Sequence, residues 1–171
     1  DEVQSGVGLS GSFFNFSKHG LQPDIVTLAK GLGAGLPIGA LIVSADVSKH
    51  FQPGDHGSTF GGNPVSVAAA NVVVDTVSKP EFLNSVSENS EWLFNEISNL
   101  NFPNIKNIRF SGLWFGIELL DESAASITNN ALSEGFLINA VKPNVLRLAP
   151  ALNITKEELQ TFLDALPKLV K

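Results

Sequence analysis

The chain has 171 residues, of which 43% are hydrophobic and 16% are charged, a composition typical of a folded globular protein. Its net charge of −6 argues against a nucleic-acid-binding surface. The absence of cysteine excludes disulfides and thiolate metal sites, and it fits a reducing compartment such as the cytoplasm.

No apolar run approaches the ~20 residues of a membrane helix. No signal peptide is visible either. We therefore expect a cytoplasmic protein that does not associate with a membrane. The chain also lacks methionine and opens on Asp1. These two features predict that its start is internal to a longer protein.

The first 60 residues are rich in glycine and contain two short apolar runs, Ile25–Leu28 and 38–43. Both are bounded by Gly or Pro and are rich in β-branched residues, which predicts buried strands. Pro64 follows Asn63 and predicts the first turn of a helix. The predicted buried face of this helix consists of Val65, Ala68, Ala69, Val72 and Val73.

From about residue 79 the pattern changes to alternating helices and strands. The first predicted element is an amphipathic helix, marked by Phe82, Leu83, Val86, Leu93, Phe94 and Ile97. Strands at 105–110 and 113–120 follow, and then a helix over 123–134 that is ended by Gly135. The remaining predicted elements are a hairpin of 136–141 with Val145–Leu148 and a last helix. That last helix opens with a capping box of Thr155 and Glu158. Its predicted apolar face is Leu159, Phe162, Leu163 and Leu166.

This order predicts an α/β protein with two domains, a strand-rich piece over 1–78 and a small α+β domain over 79–171. The first piece holds too few strands to bury both faces of a parallel sheet. We therefore expect it to be the incomplete end of a larger domain.

Two clusters in the first piece carry candidate chemistry. Asp1-Glu2-Val3-Gln4 places a carboxylate and an amide where ligands bind in open α/β sheets, although an acidic surface turn is the plainer interpretation. Lys30 follows the strand Ile25–Leu28 and precedes a flexible glycine-rich loop, a position suited to a lysine that forms Schiff bases. A solvated lysine at a strand end is the alternative.

Two further clusters lie later in the chain. Ser58 and Thr59 belong to a loop of hydroxyls and glycines just before a helix, which suits a phosphate but also an ordinary helix cap. Arg147 stands between leucines in a predicted strand and needs an anionic partner. That partner is either a substrate carboxylate or a structural salt bridge. The three histidines lack the spacing of metal ligands, and we expect no metal site.

Taken together, the order and spacing of these clusters resemble class III aminotransferases of pyridoxal phosphate (PLP) fold type I. The segment 23–33, which carries Lys30, is most similar to the acetylornithine aminotransferase branch, and so are 37–40 and 148–154. The resemblance covers essentially the whole chain. It implies the C-terminal part of a large PLP-binding domain with a mixed, mostly parallel sheet, followed by a small α+β domain.

The resemblance also implies roles for the clusters around the cofactor. Lys30 would be the lysine that carries PLP and later moves the proton. Asp1 would pair with the pyridine nitrogen, Gln4 would bond the phenolic oxygen, and Val3 would pack on the ring. Thr59 would bind the cofactor phosphate of a neighbouring subunit, which implies a homodimer.

Ser58 would lie beside substrate, and Arg147 would hold the α-carboxylate of glutamate or 2-oxoglutarate. The implied reaction transfers the δ-amino group of N-acetylornithine to 2-oxoglutarate in arginine biosynthesis. Ornithine, succinylornithine and 4-aminobutyrate are alternative donors, and a non-catalytic assembly module is a further alternative. Family parts that normally precede these residues, among them a phosphate loop and a second substrate arginine, are not in this sequence, so we expect the chain to be inactive alone.

Overall fold

The structure is a computed structural model that describes residues 1–170. Its helices are α1 (Ala45–Ser48), α2 (Pro64–Val77), α3 (Pro80–Asn99), α4 (Ala124–Ser133) and α5 (Lys156–Leu169). Its strands are β1 (Ile25–Leu28), β2 (Ala40–Val43), β3 (Ile105–Ser111), β4 (Trp114–Leu119), β5 (Asn139–Lys142) and β6 (Val145–Leu148). Short 3-10 helices cover Asn15–His19 and Lys30–Gly33.

The chain separates into two compact units, Asp1–Leu83 and the residues from Asn84 onward. The boundary therefore falls within α3, a few residues after the predicted division at 78/79. The two-domain organisation with that division remains a prediction.

The first unit is built around an antiparallel pair of strands. β1 has the predicted bounds, and its register with β2 runs from Ile25 opposite Val43 to Leu28 opposite Ala40. β2 begins two residues later than predicted. A small apolar cluster packs beneath the pair and is made of Val7, Val26, Leu28, Leu32 and Ala70.

Helix α2 begins where the sequence predicts, but its predicted buried face is wrong. The Asn63 side chain caps it by accepting from the N–H groups of Val65 and Ser66. The residues that are buried are Ser66, Ala70 and Val77. The predicted face fails at Val65, Ala68 and Val72, which are exposed, whereas Ala69 and Val73 are half-buried. Because apolar residues occur on almost every side of this helix, their spacing does not select one face.

The second unit is a four-stranded antiparallel sheet in the order β3-β4-β6-β5. The predicted hairpin is formed, although β5 is limited to Asn139–Lys142. One face of the sheet packs on helices through a continuous core. This core includes Leu93, Ile97, Phe115, Ile117, Ile127, Leu146, Leu148, Phe162 and Leu166.

The helices of the second unit follow their sequence signals closely. In α5 the Thr155 side chain accepts from the Glu158 N–H at 3.2 Å, and the Glu158 carboxylate accepts from the Thr155 N–H at 2.9 Å, so the predicted capping box is present. All four residues of the predicted apolar face of α5 are buried. Helix α4 is followed by Gly135 at a positive φ of 87°.

Candidate active site

Lys30 lies two residues beyond the end of β1, at the first position of the Lys30–Gly33 turn. Its backbone has a φ of 46°, in the left-handed region that non-glycine residues rarely occupy. Its side chain is exposed, and its amine donates a hydrogen bond to the Gln4 side-chain oxygen. Backbone strain of this kind occurs at functional sites when the surrounding structure enforces it.

The Asp1–Gln4 segment is tied to the same strand. The Glu2 N–H donates to the Thr27 carbonyl at 3.0 Å, and the Thr27 hydroxyl donates to Asp1 Oδ1 at 3.5 Å. Asp1 Oδ1 also accepts from the Val3 N–H at 2.8 Å. The structure therefore places the Asp1–Gln4 segment beside β1, with Gln4 in contact with Lys30. The roles of Asp1, Val3 and Gln4 toward a cofactor remain predictions.

Glu2, which the sequence analysis did not single out, anchors this segment. It is 5% exposed, and its carboxylate accepts from the N–H groups of Asn15 and Phe16 at 3.0 and 2.9 Å. The Ser5 hydroxyl also donates to it. The segment then turns at Gly6, where a Cβ would lie 2.7 Å from the Glu2 carbonyl oxygen. In the sequence, Glu2 is marked only by its position next to another acidic residue, Asp1. Its burial depends on a hydrogen bond from Asn15, 13 residues further along the chain, which the sequence does not reveal.

Ser58 and Thr59 lie in the exposed loop that precedes α2. The Ser58 hydroxyl accepts from the Gly61 N–H at 3.1 Å, and both side chains are open to solvent. Helix α2 itself packs against the turn that contains Lys30. Within residues 1–170, Ser58 and Thr59 form no hydrogen bond with the Lys30 side chain, and their roles as substrate and phosphate ligands remain predictions.

Arg147 lies on β6 in the second unit and is half-buried between Leu146 and Leu148. Its guanidinium donates to Asn139 Oδ1 at 3.2 Å. Within the described residues, the salt bridges are Lys49 with Asp46 and Lys106 with Glu118. Arg147 therefore has no carboxylate partner there, and the structural salt bridge that was one alternative is not formed by these residues.

Two carboxyl groups in the second unit are perturbed by neighbouring groups. A hydrogen bond from Lys106 is the main cause that lowers the pKa of Glu118, and the charges of Arg109 and Lys142 lower it further. Hydrogen bonds from Ser123 and Asn104 lower the pKa of Asp121. Neither group belongs to the predicted site.

Residues 1–170 contain no cluster of three or more His, Cys, Asp or Glu side chains placed to hold a metal ion. Among the same residues, no helix has both the length and the apolar character needed to cross a membrane.

The residues around Lys30 fit PLP by the chemistry of their donors and acceptors. The cofactor needs an amine for its aldehyde, a carboxylate for its ring nitrogen and a polar side chain for its phenolic oxygen. Lys30, Asp1 and Gln4 supply these three groups, with Gln4 bonded to Lys30 and Asp1 bonded to Thr27 of β1.

Comparison with known proteins identifies the class of this fold and site. The sequence model of "Aminotransferase class-III" matches residues 1–170. The chain therefore belongs to the class III aminotransferase family. The predicted α/β fold class is confirmed, because solved class III aminotransferases superpose on nearly the whole chain.

Among curated relatives, the acetylornithine aminotransferase of Streptomyces coelicolor is 44% identical over 171 residues. That match covers 99% of this chain and 42% of the relative. The enzyme of the same name from Caldanaerobacter subterraneus is also 44% identical, over 168 residues, with 42% of its length covered. The chain thus spans about two fifths of the length of these relatives.

Solved structures show the same likeness. N-acetylornithine aminotransferase from Stenotrophomonas maltophilia superposes with a TM-score of 0.89 at 34% identity, covering 99% of this chain and 45% of that one. Ornithine δ-aminotransferase from Plasmodium falciparum gives 0.88 at 30% identity, covering 99% and 44%. The predicted resemblance to acetylornithine aminotransferases is confirmed by these comparisons.

Proposed function

We propose that the protein is a PLP-dependent aminotransferase that transfers the δ-amino group of N-acetylornithine to 2-oxoglutarate, in arginine biosynthesis. The observation that carries this proposal is the arrangement at the end of β1, where the Lys30 amine donates to Gln4 and Asp1 accepts from Thr27 of the same strand. The names of the relatives at 44% identity support the choice of amino donor.

When bound, PLP supplies the electron sink for the transfer of the amino group. In our proposal Asp1 pairs with the protonated pyridine nitrogen, and Gln4 hydrogen-bonds the phenolic oxygen. Val3 packs against the ring. The Lys30 amine holds the cofactor between turnovers and moves the proton of the substrate carbon during them.

The remaining predicted residues bind substrate and phosphate. Ser58 lies beside the substrate, and Thr59 binds the cofactor phosphate of a neighbouring subunit, so the functional protein is a homodimer in the cytoplasm. Arg147 holds the α-carboxylate of glutamate or 2-oxoglutarate through its bidentate fork. Its lack of a carboxylate partner within residues 1–170 supports this role.

The chain covers only about two fifths of its relatives. We propose that these 171 residues by themselves bind PLP weakly and do not turn over, because other parts of the cofactor and substrate sites are contributed by segments outside them.

Ornithine is the second candidate donor, since the ornithine δ-aminotransferase of Plasmodium falciparum superposes almost as well as the acetylornithine enzyme. Steady-state kinetics with N-acetylornithine and with ornithine separates the two. A kcat/KM that favours N-acetylornithine by tenfold or more, about 1.4 kcal/mol, supports the first assignment, and the reverse preference supports ornithine.

The assignment of Lys30 is tested by replacing it with alanine in the full-length gene product. We expect Lys30→Ala to abolish the visible absorption band of the bound cofactor and to lower kcat by at least 10³-fold, because the amine is both the point of attachment and the proton carrier. Lys49→Ala, at another exposed lysine of the first unit, is the control and retains both. A Lys30→Ala protein that keeps the band contradicts the assignment.

A further inference from the structure

The only two arginines in the sequence lie in one row across the sheet of the second unit. In the register of the strands, Arg109 of β3 and Arg147 of β6 are both opposite Gly116 of β4. Asn139 of β5 extends the row beyond Arg147. Directly opposed residues of antiparallel strands project to the same face, so both guanidinium groups belong to the same side of the sheet.

This side faces away from the core. Phe115 and Ile117, which flank Gly116 in β4, are 1% exposed and lie in the core on the opposite face. An open cleft of about 550 Å³ lies over the row, and its lining includes Arg109, Gly116 and Arg147. Gly116 forms an unobstructed floor, since a Cβ at this position would have no heavy atom within 4 Å.

The cleft is positively charged although the whole chain is acidic. Arg109, Lys142 and Arg147 line it, and no carboxylate of residues 1–170 does. Glu118, two residues after Gly116 in β4, already accepts from Lys106 at 2.8 Å. That hydrogen bond is the main cause that lowers the pKa of Glu118, and the charges of Arg109 and Lys142 lower it further, in the direction expected beside cations.

Neither arginine is neutralised by a carboxylate among the described residues. The backbones of Arg109 and Arg147 are separated by two strand spacings, about 10 Å. Two long side chains that approach from opposite sides can therefore both reach a small anion held above Gly116. Trp114 and Val145 add apolar surface to the same lining, which suits the carbon chain of an organic acid.

We propose that Arg109 is an additional substrate-binding arginine, distinct from the one that the family resemblance places outside this sequence, and that together with Arg147 it clamps a carboxylate group of the substrate over Gly116. This inference rests on the proposed function for the identity of the substrate, but the binding site itself is defined by the row of the sheet. Arg109 adds a second charged fork, and the absence of a side chain at Gly116 leaves room for the ligand.

The test uses glutarate, an unreactive dicarboxylate, and the full-length gene product. Its affinity is obtained from the rise of the thermal unfolding midpoint with glutarate concentration, at constant ionic strength. We expect Arg109→Gln to weaken glutarate binding about tenfold or more, as loss of a charge-assisted hydrogen bond does. Lys168→Gln removes an exposed cation elsewhere in the second unit and leaves the affinity unchanged.

Gly116→Val provides an independent variant that fills the floor without removing a charge. Because a Cβ meets nothing there and valine suits a strand, the midpoint without glutarate is unchanged or higher, while glutarate binding falls about tenfold or more. Gly116→Ala, with a smaller side chain, gives a weaker effect in the same direction.

Unaltered glutarate affinity in Arg109→Gln overturns the proposal, and so does equal stabilisation by inorganic phosphate, which would make the cleft an unselective anion site. Binding that depends on Arg109 and Gly116 supports it even if the wild-type protein fails to transaminate N-acetylornithine. That failure would refute the proposed function alone. If the wild-type protein transaminates N-acetylornithine but its glutarate affinity does not depend on Arg109, the proposed function is supported and the substrate-binding role of Arg109 is refuted.

Discussion

At the scale of single residues, the segment Asp1–Gln4 shows how one buried carboxylate can position its exposed neighbours. Glu2 is directed inward and accepts hydrogen bonds from Asn15 and Phe16, so Asp1 and Gln4 on either side of it face Thr27 and Lys30. The candidate catalytic groups are thus held by a residue that takes no part in the proposed chemistry.

Replacement of Glu2 by alanine therefore has a predictable cost. We expect Glu2→Ala to lower the free energy of unfolding by about 1–3 kcal/mol, because the N–H groups of Asn15 and Phe16 lose their acceptor in a partly buried site. Urea denaturation measures the change. Glu122→Ala, at an exposed acidic residue, is the matched control and is expected to stay within about 0.5 kcal/mol. Equal effects of the two variants would show that the Glu2 hydrogen bonds contribute little.

Arg109 and Gly116 are residues that the sequence analysis missed, and the reason lies in β register. The sequence predicts strands at 105–110 and 113–120, but it does not state which residue of one lies opposite which residue of the other. A shift by one residue would place Arg109 on the other face of the sheet. The juxtaposition with Arg147 depends on the pairing of three strands, and that is visible only in the structure.

At the scale of elements, a helix or strand feature is predicted correctly when the residues that determine it are close together in the sequence. The capping box of Thr155 and Glu158 is confirmed because its two hydrogen bonds join residues three apart. Strand β1 is bounded by turn residues and is confirmed at both ends. The buried face of α2 is decided by what packs on it, and its uniform apolar composition gave no periodicity from which that could be predicted.

The turn between β4 and α4 gives an element-scale prediction about pH. Asp121 accepts hydrogen bonds from the Ser123 N–H at 3.1 Å and from Asn104 Nδ2 at 3.2 Å. The pKa of Asp121 is lowered mainly by the Ser123 side chain, then by the Asn104 side chain, and to a smaller extent by the Ser123 N–H. A carboxyl group whose pKa is lower in the folded state stabilises the fold above its unfolded pKa, and this contribution is lost as the pH falls through the folded pKa.

We therefore expect wild-type protein to be more stable than Asp121→Asn at pH 7, with the difference shrinking as the pH is lowered below about 4, the ordinary range of aspartate. Denaturation of both proteins at pH 7 and pH 3 measures the difference, and the direct titration of Asp121 by NMR locates its pKa. A difference that is the same at both pH values would contradict the proposed coupling.

At the scale of the whole molecule, the two units differ in how completely they bury their apolar side chains. The second unit has a continuous core beneath a four-stranded sheet. The first has a two-stranded sheet with a small apolar cluster, and its exposed large hydrophobic residues include Ile25, Leu41, Ile42, Phe60, Val65 and Val72. A two-stranded sheet is marginally stable in water unless other elements cover it.

The exposed apolar side chains of α2 in the first unit lead to a prediction about the self-association of the 171-residue chain. Val65 and Val72 are each 66% exposed on this helix, and exposed apolar surface promotes association. We expect the chain, purified as these 171 residues, to self-associate and to bind the dye ANS. Val72→Glu is expected to reduce both, by about half or more, because it replaces one of these exposed valines with a charged residue. Light scattering and dye fluorescence measure the two effects.

Asn129→Glu adds the same charge to an exposed position of α4 and serves as the control. If both variants lower association equally, added net charge rather than the α2 surface is responsible.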